Sequence, residues 1–152
     1  MKSFSVKSLL APAAIALCAG IVLEVVALIV YSLTGITDFN ETLSTPVLVF
    51  VIVAIVFAVI ALALKAFALN RFFHGLFDLL PFAGYLIALL GFIYYVGSQV
   101  NYLTNVFVAI DGQAVSVSFV LTFATLLLAS IAFLLSGIFL KKEKRDEEGE
   151  NA

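Results

Sequence analysis

The sequence predicts an all-α protein, a polytopic membrane protein folded as a four-transmembrane-helix, up-down bundle. Three observations carry that reading. The 152 residues are 64% hydrophobic and 12% charged, where a soluble domain is about half apolar and about a quarter charged. The apolar residues fall into four runs, each near the roughly 20 residues that a helix needs to cross a bilayer. Apart from Lys65 inside the second run, Lys and Arg fall in the two terminal flanks and the middle connection and are absent from the other two connections, as the positive-inside rule requires. A chain this short has too little interior to hide so much apolar surface, so the excess must face lipid.

The first run covers about 9–31, between Lys7 and the polar stretch after Tyr31. The second covers about 46–69, opening at Pro46. The third covers about 79–96, with Pro81 suited to its first turn. The fourth covers about 115–140 and stops at Lys141. Glu24 and Lys65 carry the charge inside these limits. In hydrocarbon every backbone group must bond internally, so helices or a closed barrel are the choices. Runs this continuous do not alternate as barrel strands do. One transmembrane domain, 1–140, is therefore expected, followed by a charged, disordered cytoplasmic tail over 141–152.

The basic residues set the orientation. Lys2 and Lys7 precede the first run, Arg71 lies between the second and third, and Lys141, Lys142, Lys144 and Arg145 follow the fourth. The connections at about 32–45 and 97–114 hold Asp38, Glu41 and Asp111 but no Lys or Arg. Both termini are expected in the cytoplasm of a cell with the chain in its plasma membrane. Tyr31, Tyr94, Tyr95 and Tyr102 then lie near the outer interface. Lys2 and Lys7 before an apolar run also suit a signal peptide, and Ile15-Ala16-Leu17-Cys18 is shaped like a lipoprotein cleavage box. Leu17 stands where such boxes need a small residue, and the run continues to Tyr31, so an uncleaved first helix is expected.

Composition excludes several functions. A single cysteine allows no intrachain disulfide, and one cysteine with one histidine is poor material for a zinc site. No metal, cofactor or nucleic acid is expected, and no convergent set of catalytic residues suggests an enzyme. His74 and Asp78, four apart, would share a helix face, but no nucleophile lies near them in sequence. The phenylalanines around them, Phe67, Phe72, Phe73, Phe77 and Phe82, read as an interfacial turn. In the last connection, Asp111-Gly112 between β-branched residues is a hairpin signal. The rival reading, slightly preferred, starts the fourth helix at Val115. Asn40-Glu41-Thr42 is a glycosylation triplet of the kind common by chance.

Glu24 is the sharpest feature. A charge at the bilayer centre costs about 2.5–3.5 kcal/mol on insertion scales, so this side chain is expected to face the bundle interior or a partner. Counting depth along antiparallel helices places Tyr94, Tyr95, Thr122 and Thr125 near its level, as candidates to bond the carboxyl. Lys65 lies near its own helix end and is expected to snorkel to the headgroups rather than pair with Glu24. Three roles follow for Glu24: a proton-coupling or cation-binding group, a protonated side chain clamping two helices, or a docking point for another subunit. Small four-helix multidrug transporters also place a glutamate in their first helix. This chain has no Trp, longer outer connections and a different second span, and is not assigned to them. Ala16 and Gly20, Ala54 and Ala58, and Gly84 and Ala88 are spaced for close helix contact, with Gly91, Ser136 and Gly137 extending the small faces. Besides the lipid bilayer, the expected partner is another membrane subunit or a second copy of the chain. The leading expectation is an accessory or structural subunit of a membrane complex. The alternative is a small proton- or cation-coupled transporter or channel component using Glu24.

Overall fold

The computed structural model describes residues 10–36, 42–66, 74–108 and 115–150. Five helices make up these residues: α1 Pro12–Thr34, α2 Thr45–Ala66, α3 His74–Ser98, the short α4 Val100–Val108, and α5 Val117–Glu150. Four of them, α4 excepted, contain a stretch long and apolar enough to cross a membrane. The chain is thus all-helical, with the composition of an integral membrane protein. Helix α1 packs on α2 and α5, and α3 packs on the same two, so the long helices stand at the corners of a square. Neighbours around that square run antiparallel, which is the up-down bundle.

Two ends follow from this topology. Helix α1 starts and α5 finishes at what we call the terminal end; α4 and the start of α5 lie at the opposite, far end. Lipid-facing positions stay apolar, as in Val22, Ile29, Ile52, Val59, Leu86, Ile93, Leu128 and Ile138, all exposed. With lipid as apolar as the core, close packing rather than burial from water holds the helices together.

That packing shows in the spacing of buried residues. Helix α1 buries Ala13, Leu17, Gly20, Glu24, Ala27 and Tyr31, steps of four and three that keep one seam turned inward. Helix α5 answers with Leu140, Ser136, Phe133, Ala129, Leu126 and Thr122. The register is fixed where a Cβ on Gly20 would overlap the Phe133 ring. It is fixed again where Ala13 clusters with Leu140 and Ala27 with Leu126. On the other side of the square, Gly91 lies on Phe50 and Val51, and Gly84 on Phe57. A Cβ on Gly137 would come within 2.9 Å of the Phe82 ring. The small residues singled out in the sequence, Ala16 excepted, are thus buried inside this bundle.

Three readings change. The tail is not a disordered end from 141: α5 continues as helix to Glu150. Lys, Arg and Glu stop the apolar run but are strong helix formers, so the helix outlasts the membrane span. Helix α3 starts at His74, which puts Pro81 inside it rather than in its first turn. Pro81 withdraws the N–H that would bond the Phe77 carbonyl. The first arm of the hairpin signal is helical, since α4 runs to Val108. Asp111 and Gly112 lie outside the described residues, as do Asn40, Glu41 and the phenylalanines from 67 to 73.

Candidate functional site

Glu24 occupies a seam position where a hydrophobe would be expected. It is 0% exposed, and neither carboxylate oxygen has a hydrogen-bond partner. The register set by Gly20 and Phe133 brings Ala129 level with it on α5. The register set by Gly84 and Gly91 brings Ala54 and Ala88 level with each other across α2 and α3, between the aromatic far half and the glycine-rich terminal half. All three alanines are 0% exposed. Glutamate is the large residue at this level, with an alanine on each of the other three long helices. The neighbouring layer toward the terminal end reverses the pattern, with Phe133 as the large member beside Gly20, Ala58 and Gly84. Such alternation of large and small side chains fills a core without voids.

The chemistry open to this carboxyl is narrow. A bare carboxylate among methyl groups, with neither a cation nor a donor beside it, is a costly species. A calcium-like ion takes six to eight oxygen ligands, and alanines supply none. Among the described residues no group of three His, Cys, Asp or Glu side chains stands together. A proton needs one oxygen and removes the charge, so it is the ligand that this donor set fits.

The other candidates sort differently. Tyr95 is buried, but its hydroxyl donates to the Phe119 carbonyl at 3.3 Å. Tyr94 is one residue out of phase with the seam: it is 47% exposed and stacks on Phe50 at 5.3 Å. Thr125 is buried, yet its hydroxyl turns back to the carbonyls of Leu121 at 2.8 Å and Thr122 at 3.1 Å. The expected hydrogen bonds from Tyr94, Tyr95, Thr122 and Thr125 to Glu24 are therefore not made. Tyr95 and Thr122 instead belong to a second feature, a pocket at the far end.

That pocket has a volume of about 30 Å³ and is lined by Tyr31, Tyr95, Gln99, Tyr102, Ser116 and Thr122 among others. Its floor is buried and its rim, at Thr34 and Ser116, is exposed. Tyrosine hydroxyls build its walls. Tyr31 accepts the Ser44 backbone N–H at 2.8 Å, and Tyr102 accepts that of Ser116 at 2.6 Å. Each thereby fixes the residue just before a spanning helix. Ser116 in turn caps α5, its hydroxyl oxygen accepting the Phe119 N–H at 3.2 Å. Tyr31 meets Tyr95 edge-on at 5.6 Å between ring centres, and Phe119 bridges Tyr95 and Tyr102.

The terminal end holds a group that sequence reading passed over. Glu143, expected to be in a solvated tail, pairs with Lys65 at 2.7 Å through one oxygen. Its other oxygen accepts the Ala13 backbone N–H at 3.2 Å, an unsatisfied donor of α1's first turn. One side chain on α5 thus clasps α1 and α2. Lys65 does not pair with Glu24, as expected, although it finds a carboxylate. The signal that pointed to Glu143 was available: a lone acid between Lys142 and Lys144, one turn past the last buried leucine.

His74 and Asp78 lie in the first turns of α3. Cys18 is exposed on α1. No known family matches the chain, and neither a curated protein nor a solved structure does.

Proposed function

We propose that this chain is a small proton-coupled membrane transporter or channel component, with Glu24 as the group that takes up and releases the proton. The observation that carries the reading is the carboxyl itself, fully buried on the seam with both oxygens unpartnered. An ionisable side chain inside a membrane bundle is a functional candidate by default, because its cost must be offset by use. The two rival roles of Glu24 have less support. A clamp between helices needs hydrogen bonds, and it makes none. A docking point needs exposure, and it has none. Gly20, Ala54, Ala58 and Ala88 are likewise turned into their own bundle, so these small residues do not support the accessory-subunit reading. A single chain encloses Glu24, so no oligomer is required to shield it.

The absence of Lys and Arg between 32 and 45 and between 97 and 114 supports an orientation with the terminal end in the cytoplasm. The far-end pocket then faces outward, across the plasma membrane. The test is proton flux into liposomes containing the purified chain, driven by a potassium diffusion potential and read with a trapped pH dye. Wild type carries flux, and Glu24→Gln, shown to be folded, loses it. Equal flux in the two proteins, or none in wild type, overturns the reading.

A further inference from the structure

Glu24 has a short way out and a long one. Toward the far end a single layer separates it from the pocket: Ala27, Val51, Gly91 and Leu126. The pocket floor, at Tyr31 and Thr122, lies seven residues along the helix from the Glu24 layer, about 10 Å at 1.5 Å per residue. One corner of the intervening layer is Gly91, which is closed by Phe50 and Val51 of α2. Toward the terminal end stand the Phe133 layer with Gly20, the Leu17 layer with Ala61 and Leu80, and the Ala13 layer with Leu140. Beyond them the Lys65–Glu143 bridge closes the bundle.

The pocket is also the right kind of space. A cavity needs about 10–15 Å³ to hold one water, together with two to four polar partners. At about 30 Å³ it has room for two. Hydroxyls of Tyr95 and Thr122 stand at its floor, and its rim is exposed. Few titratable groups stand near Glu24 on the elements packed around it: the helices at its level present Ala54, Ala88 and Ala129. Along the axis the next are Tyr31 on α1 and Tyr95 on α3 toward the far end. Toward the terminal end they are Tyr85 on α3, packed against the Ala88 and Phe133 cluster, and farther off Lys65 on α2 and Glu143 on α5.

We propose that this far-end pocket is a water-binding vestibule through which Glu24, in this conformation, exchanges its proton with the far side; passing the proton on to the terminal side, as flux requires, takes a second conformation. When water from the pocket crosses the Ala27 layer and reaches the carboxyl, a proton passes along that water from hydronium in the pocket to a Glu24 oxygen, leaving water and a neutral acid; release reverses the step. The inference rests on Glu24 being the proton-binding group and adds the side from which it is reached.

The test uses the full chain in liposomes, with orientation read from labelling of Lys141 and Lys142 by an impermeant amine reagent. Dicyclohexylcarbodiimide couples to neutral carboxyl groups in apolar surroundings, and mass spectrometry gives the labelled fraction at Glu24. The pH on each side is set independently. Labelling falls severalfold when the far side is made alkaline and is unchanged when the terminal side is. Thr122→Leu, which fills the pocket floor, slows that response. A response to the terminal side, or to neither side, overturns the vestibule. The wild-type measurement stands even if the variant fails to fold. The two readings fail separately: flux lost in Glu24→Gln with labelling that follows the terminal side removes the vestibule and keeps the function. One-sided labelling without flux does the reverse.

Discussion

The two halves of the bundle, divided at Glu24, are built on different principles. The terminal half is made of close approaches. Gly20 lies under Phe133 and Gly137 under Phe82, alanines face one another, and a carboxylate clasp finishes the end. The far half is made of rings and hydroxyls: Tyr31, Tyr95, Tyr102 and Phe119 meet edge and face, and tyrosine oxygens hold the residues that open α2 and α5. Glycine and alanine bring backbones together and leave no room; tyrosines prop the helices apart and leave a pocket. The comparison teaches where a buried acid can be reached from, since one half is shut by packing and the other holds a pocket with an exposed rim.

Breaking the terminal half should cost most. Phe133→Ala removes the ring that fills the Gly20 layer and should lower stability by about 3 kcal/mol, read as unfolding in mixed micelles. Gly20→Val forces a side chain into the same ring and should cost about 2 kcal/mol. The clasp comes next. Glu143→Ala leaves Lys65 mostly buried without its partner and the Ala13 N–H unbonded, with an expected loss of about 1–2 kcal/mol. In the far half, Tyr102→Phe removes the hydroxyl that accepts the Ser116 N–H and should cost about 1 kcal/mol. If it costs as much as Phe133→Ala, the contrast between the halves is wrong. The smallest effect separates stability from function. Glu24→Leu replaces an unpartnered acid by a hydrophobe of similar size, so stability should stay level or rise while proton flux disappears. A marked loss of stability would show that the carboxyl holds the bundle together.

The four spans were legible because a bilayer demands about 20 apolar residues and little else in a sequence satisfies that. Depth was legible too, since it counts along a helix, and this put Glu24, Tyr95 and Thr122 within two layers of each other. Facing was harder. Tyr94 and Tyr95 differ by one residue in depth but by about 100° around the helix, given 3.6 residues per turn. Only the steps through Gly84, Ala88 and Gly91 show that Tyr95 points inward. Thr125 was placed at a suitable depth, and the bond its hydroxyl makes to its own helix is a local choice that depth does not reveal. Helix ends were misplaced for the same reason at both ends of the chain's polar stretches. Hydropathy reports where the membrane stops, while the 141–150 stretch goes on making backbone hydrogen bonds in helix-forming residues. That error hid Glu143, whose partners are 78 and 130 residues away in sequence.

The central claim is that Glu24 exchanges a proton inside the bundle rather than merely filling a layer of alanines. Infrared difference spectra over a pH titration test it most directly, with Glu24→Gln as the reference for assigning the carboxylic acid band. The account predicts a neutral-acid band present in wild type, missing in the variant, and converted to carboxylate as pH rises. A Glu24 band that stays unchanged wherever the protein remains folded would contradict it, and would make the residue a fixed, neutral packing element.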